Sequence, residues 1–309
     1  MANTNVLSDN DCLEIALDKE AEMIEKIEMV GRGYFSGVIV SGPPGCGKSK
    51  TVTDILKSMP DLEHVSDVHT EQDSKGRWQV IGKTVEPGPL VRKSRYAPWS
   101  LTRDLYRNSA RNNKLVIDDN DIALQDLNFC SLLMNATEQD ALREVHYNAK
   151  KITELECEGV PDKFDYAGGI VILTNYNMRN IPAQGEKGHK KYHERWAALV
   201  SRLSGQYVDM SMEDRVLINF LEHRIRITKQ LTKSSYFNTT FNVDGITEDQ
   251  QEELFSFARY LLGNSAFIQN LDLRVYNTMA SYIIMSDGDS EKWKKQIKRN
   301  LVTMGFRDV

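Results

Sequence analysis

The stretch Gly42-Pro43-Pro44-Gly45-Cys46-Gly47-Lys48-Ser49 decides how the rest of the chain is read. It satisfies G-x-x-x-x-G-K-[ST] at every fixed position and lies between the apolar run Val38-Ile39-Val40 and a helix-forming stretch, Lys50–Met59. Glycines at 42, 45 and 47 reach backbone conformations that a Cβ forbids, so successive N–H groups can turn inward on phosphate oxygens. Lys48 is then placed to bridge the β- and γ-phosphates, and Ser49 to offer its hydroxyl to Mg²⁺. The following helix presents the positive end of its dipole. Strand, glycine loop and helix in that order predict a nucleotide site on an α/β fold.

Two more unbroken apolar runs follow, Leu115-Val116-Ile117 and Ile170-Val171-Ile172-Leu173. Runs without alternation are the pattern of strands buried on both faces, and the helical stretches between them predict a parallel sheet sandwiched by helices. Upstream, Leu13–Val30 carries apolar residues at 13, 17, 24 and 27 among acids, which predicts an amphipathic helix leading through Gly31-Arg32-Gly33 into the first strand. Beyond Ser211 the β signal fades. Amphipathic segments at roughly 213–226, 247–262, 272–285 and 289–304 predict a small all-α domain. The expected organisation is an N-terminal helix packed on the core over 1–30, an α/β nucleotide-binding domain over 31–210 and a helical domain over 211–309. Thr84–Pro89, with two prolines and a glycine, predicts a loop, and Arg224–Lys233, with four cations, an interdomain linker.

Composition narrows the class. A chain of 309 residues, 40% hydrophobic and 27% charged, can bury a core as one large or two modest domains. No window approaches about 18 consecutive apolar residues, and Met1–Asn10 is polar without the basic-then-apolar order of a signal peptide. No membrane span and a cytoplasmic location are expected. Cys12, Cys46, Cys130 and Cys157 are far apart and lack C-x-x-C spacing, which predicts reduced thiols and no zinc site. The net charge of −5 argues against a uniformly basic nucleic-acid-binding surface and leaves local basic strips available.

The second chemical motif is the acidic end of the middle strand, Leu115-Val116-Ile117-Asp118-Asp119. A carboxylate there can hold Mg²⁺, and a neighbouring acid can polarise the attacking water, so Asp118 is assigned to the metal and Asp119 to the base. Asp121 reads as a helix cap. The third is Thr174-Asn175, where the next strand leaves the sheet. Ligands of open α/β sheets bind at the carboxyl ends of strands, so Asn175 is expected to face the γ-phosphate and orient water. Arg202, in Ala197-Ala198-Leu199-Val200-Ser201-Arg202, and Arg274, in Leu271-Asp272-Leu273-Arg274, complete the set.

Taken in order, the loop 42–49, Ile117-Asp118-Asp119, Thr174-Asn175, Leu199-Val200-Ser201-Arg202 and Leu273-Arg274 resemble Walker A, Walker B, sensor 1, arginine finger and sensor 2 of AAA+ ATPases. The resemblance spans roughly residues 10–300 and makes the helical C-terminal part similar to that family's lid domain. It implies ATP and Mg²⁺ as cofactors, ATP hydrolysis, and a ring, commonly a hexamer, in which Arg202 reaches the γ-phosphate of a neighbouring subunit. Arg195 is the runner-up finger. One departure is that the second Walker B acid is usually glutamate, and Asp119 is one methylene shorter. The stretch 117–147, with Leu132-Leu133-Met134-Asn135-Ala136 and Arg143-Glu144-Val145, resembles ATPases carried by bacteriophages and mobile elements, which would place the protein in a host cytoplasm.

The resemblance also implies a pore-lining segment, for which the candidate is Val91–Trp99. Arg92, Lys93 and Arg95 with Tyr96 and Trp99 could hold nucleic-acid phosphates and stack on bases, or grip an extended polypeptide. Lys187–Arg195 interleaves lysines with His189 and His193 and reads as a solvated basic loop rather than a metal site. The expectation is an ATPase motor or switch acting on DNA or on protein–DNA assemblies in replication, recombination or repair. The alternatives are a protein remodeller and a weakly hydrolysing ATP-binding scaffold.

Overall fold

The computed structural model describes residues 7–93, 96–121, 123–147, 153–175, 187–263 and 272–305. Helix α1 (Asp9–Gly31) precedes strand β1 (Gly37–Ser41) and helix α2 (Lys48–Lys57). A hairpin of β2 (Glu63–Gln72) and β3 (Trp78–Pro87) follows, then β4 (Leu90–Lys93), α3 (Pro98–Arg107) and β5 (Lys114–Asp118). Helix α4 (Leu127–Ala136), β6 (Arg143–His146), α5 (Thr153–Cys157), β7 (Lys163–Tyr166), β8 (Gly169–Thr174), α6 (Lys187–Arg202) and β9 (Tyr207–Asp209) complete the α/β part.

The central sheet has five strands in the order β4-β5-β8-β1-β9, and every pairing is parallel. Every residue of β1, β5 and β8 is buried. That explains the unbroken apolar runs, because a parallel strand covered on both faces has no solvent side to mark with polar residues. Ile39, Leu115, Ile117, Ile170 and Ile172 form one core with Leu101 and Leu105 of α3, Phe129, Leu132 and Leu133 of α4, and Trp196 and Leu199 of α6. Val38, Val40, Val116 and Val171 alternate with them and are equally buried. Asp126 caps α4, its carboxylate accepting from the backbone N–H groups of Asn128 (2.7 Å) and Phe129 (3.1 Å).

A second core is helical and is built by α7 (Asp214–Thr228), α8 (Ser235–Phe241), α9 (Glu248–Gly263), α10 (Leu273–Met285) and α11 (Ser290–Gly305). Phe255 meets Tyr276 and Phe257 meets Trp293 edge to face, at centroid separations of 5.6 and 5.3 Å. Contacts divide the chain into two compact units: the chain up to Asp18 with Pro44–Gly47 and Met212–Val309, and Lys19–Pro43 with Lys48–Ser211. The division falls inside α1.

Several expectations are corrected. The buried face of α1 is Cys12, Ala16, Met23, Ile27 and Val30, whereas Leu17 is exposed, so the expected stripe was rotated by about one residue. Thr84–Pro87 is strand, not loop, because its backbone pairs with Glu63–Asp67 across the hairpin; only Gly88, at φ +86°, makes the turn. Val91–Lys93 is also strand, paired with β5. Arg224–Thr228 is the last turn of α7 rather than a linker, and the chain leaves the helix through Lys229 in the left-handed conformation. All four cysteines are free. No described helix is long and apolar enough to cross a membrane.

Candidate nucleotide site

Parallel strands send all their carboxyl ends to one edge. The register sets Lys93 opposite Asp118, Asp118 opposite Leu173, and Ser41 opposite both Thr174 and Asp209. The glycine loop leaves β1 at that edge. Gly42 (φ +151°), Gly45 (φ +73°) and Gly47 (φ +91°) all lie at positive φ, and a Cβ on Gly42 would come within 2.7 Å of the Met210 Cβ. The loop therefore has the backbone of an anion cradle and requires glycine to hold it.

Lys48, first residue of α2, is buried. Its ammonium donates to the carbonyl oxygens of Gly42 and Pro43, each at 2.7 Å, and to the Asn175 Oδ1 at 3.3 Å. The Asn175 amide in turn donates to the Asp119 carboxylate at 3.4 Å. Strand β8 is responsible for this chain of contacts. It lies between β1 and β5, so the residue leaving its end stands between the loop lysine and the acid that follows β5.

Ser49 Oγ donates to Asp118 Oδ1 at 2.8 Å, and Asp118 is only 2% exposed. The Lys93 ammonium lies 3.3 Å from Asp118 Oδ2. Asp119 sits in the left-handed region at φ +53°, a conformation that short polar side chains tolerate and that turns the chain out of β5 immediately after the buried acid. Asn120 donates to the carbonyls of Asp118 (3.1 Å) and Arg92 (3.2 Å), tying the ends of β4 and β5 together.

These residues fit the cofactors that the loop implies. A hydroxyl and a carboxylate already in contact are the hard oxygen donors that Mg²⁺ takes, and an ammonium beside Asp118 shows that the position accepts a cation. Among the described residues no cluster of His, Cys, Asp and Glu forms a separate metal site.

Other sequence assignments land elsewhere. The Asp121 carboxylate, read from the sequence as a helix cap, accepts from the Thr174 hydroxyl at 2.6 Å, linking β8 to the turn after β5. Arg202 ends α6, donates to the Met134 carbonyl at 2.8 Å and pairs with Glu138 at 3.1 Å. Arg274 is exposed in the first turn of α10, after the cap Asp272, which accepts from the Val275 N–H at 2.8 Å.

The pore-lining expectation is corrected at two positions. Tyr96 is 7% exposed and donates its hydroxyl to Asp104 at 2.8 Å, and Arg92 grips the same carboxylate at 2.6 and 3.1 Å. Burial, then the Asp104 carboxylate, push the Tyr96 phenol well above its ordinary pKa, so it stays protonated as a donor. Neither side chain is free to meet a threaded chain. Trp99 is half-buried on α3, with Arg103 over its ring at 5.4 Å. Lys187–Arg195 is the first part of α6 rather than a loop. Arg95 and the side chains of His189, His193 and Arg195 lie outside what is described.

Sequence reasoning missed Lys93 as a neighbour of the acid, assigning it to the pore segment. The signal that could have found it is positional: Lys93 ends a strand that pairs with β5. No family model and no curated protein matches the chain.

Proposed function

We propose that this chain is an ATP-hydrolysing, Mg²⁺-dependent ATPase of the AAA+ kind, working as a ring and acting on DNA or on protein–DNA assemblies. The observation that carries the ATPase reading is the pair of contacts at the strand ends: Lys48 to Asn175 to Asp119, and Ser49 to Asp118. Five residues from three separated segments converge at one sheet edge, each with the chemistry that phosphoryl transfer needs. Sheet order supports the reading as well, since a strand inserted between β1 and β5 is what delivers Asn175. The DNA assignment rests on the sequence resemblance.

In this reading Lys48 exchanges the carbonyls of Gly42 and Pro43 for phosphate oxygens, and the loop N–H groups surround the β-phosphate. Ser49 and Asp118 would hold Mg²⁺, which would supply charge neutralisation to the reacting phosphates. Asn175 orients the attacking water, and Asp119 receives its proton. Arg202, released from Glu138, stabilises the developing charge across a subunit boundary, and Arg274 senses the nucleotide from the helical part.

The test is steady-state ATP hydrolysis against protein concentration, with and without single-stranded and duplex DNA, beside equilibrium binding of a fluorescent ATP analogue. Lys48→Ala should lose at least about a hundredfold in binding. Retained affinity in that variant would sink the assignment, and turnover that DNA leaves unchanged while a protein partner raises it would transfer the substrate to the remodeller class.

A further inference from the structure

Asp118 and Lys93 form an unequal pair. The carboxylate is 3% exposed at its side chain, whereas the lysine side chain is 61% exposed. Asp118 Oδ1 is occupied by the Ser49 hydroxyl, and Oδ2 faces the ammonium. The pairing is built into the backbone, because Lys93 and Asp118 are register partners at the ends of β4 and β5. Successive residues of a strand point to opposite faces, and β4 uses this to send Arg92 to the buried Asp104 and Lys93 to Asp118. The two cations differ in what holds them. Arg92 is forked onto an acid that also binds Tyr96, while Lys93 keeps most of its surface in water.

A carboxylate this deeply buried needs a countercharge, and the ammonium supplies it. A divalent ion shared by Ser49 and Asp118 would claim the same oxygens, and two cations repel at that range. We propose that Lys93 is the resident counter-ion of the divalent-cation subsite: it holds Asp118 while the metal is away and is exchanged into solvent when metal and nucleotide load together. Its solvated head and flexible stem allow release once the incoming divalent ion takes over as the countercharge of Asp118. Metal affinity is thereby set by competition with a cation from the edge strand, so divalent binding is coupled to the end of β4. The inference rests on the ATP and Mg²⁺ reading of the site.

The test is a Mg²⁺ titration of fluorescent ATP-analogue binding to the full chain, comparing wild type, Lys93→Met and Lys93→Arg, with binding in chelator as the metal-free reference. Lys93→Met should lower the Mg²⁺ concentration at half-saturation roughly three- to tenfold, and Lys93→Arg should stay within about twofold of wild type. Mn²⁺ added to the nucleotide-free protein should bind more tightly to Lys93→Met by a similar factor. An unchanged Mg²⁺ midpoint in Lys93→Met overturns the proposal. A raised midpoint also overturns it, by making Lys93 a ligand of the nucleotide instead. Failure of the wild type to bind the analogue at all would remove the ATP reading and this inference with it, and is seen before any variant is compared.

Discussion

Asp118 and Glu222 are both sealed from water, one at the end of a strand and one in the middle of α7, and their surroundings differ in kind. Glu222 receives the Arg259 Nε at 3.1 and 3.2 Å and its Nη2 at 2.7 Å, with the Tyr276 hydroxyl at 3.5 Å. Arg259 continues to Asn219 (2.9 Å) and Asp9 (2.7 Å), and hydrogen bonding to Glu222 holds its pKa above the ordinary arginine value. Asp118 has a hydroxyl and a solvated ammonium. An acid enclosed by a fork whose other branches are also engaged is an internal joint of a helical core. An acid whose partners are small or exchangeable, at the carboxyl end of a parallel sheet, is suited to binding. Burial alone does not separate the two; the replaceability of the partners does.

The largest effect should come from Asp118→Asn. Turnover is expected to fall by at least about a hundredfold, roughly 3 kcal/mol of barrier, with folding stability nearly unchanged because the amide can still accept from Ser49. Hydrolysis assays beside chemical denaturation check this, and near-normal turnover would make Asp118 as structural as Glu222. The mirror experiment is Glu222→Gln. It removes the buried charge partner of Arg259, which keeps the exposed Asp9, and should cost about 2 kcal/mol of stability, held below the value for a fully buried pair by the partial exposure of Arg259. Nucleotide affinity should stay within about twofold. Loss of binding without loss of stability would break the comparison.

The smallest effect concerns a third buried charge. Lys114 is 1% exposed, has the Arg111 carbonyl as acceptor, and burial, followed by the charges of Arg143 and Arg111, lowers its pKa to about 8. Because the folded-state value lies below the unfolded one, the folded protein binds fewer protons between about pH 8 and 10.5, and this group's penalty is full below pH 8 and relieved as pH rises through that window. Lys114→Met should therefore raise stability by about 1 kcal/mol at pH 7, and the gain should shrink toward zero by about pH 10. Paired denaturation curves of wild type and variant at the two pH values isolate it, and a pH-independent difference would show that Lys114 carries no charge penalty.

Much of this was legible in the sequence because it is local. The glycine loop, the three runs that became β1, β5 and β8, and the segments that became α7, α9, α10 and α11 each announce themselves within a dozen or so residues. Helix α8 escaped because its seven residues are too few to establish a period. The hairpin of β2 and β3 escaped for another reason. Trp78–Pro87 contains Gly82 and Pro87, Val80, Ile81 and Val85 are exposed, and the strand is defined by pairing with β2 rather than by a buried face.

What the sequence determined by itself is the set of groups that meet at the sheet edge: Lys48, Ser49, Asp118, Asp119 and Asn175, each read from a motif shorter than ten residues. Which of them touch was decided by tertiary structure. The insertion of β8 between β1 and β5 brings Asn175 to Lys48 across 127 residues of chain, and strand register brings Lys93 to Asp118. The same packing buried Tyr96 against Asp104 and brought Asp121 to Thr174. Local motifs are set by backbone geometry and propensity, which act over a few residues. Strand order and register are set by how whole faces bury against α3, α4 and α6, and no short window contains that information.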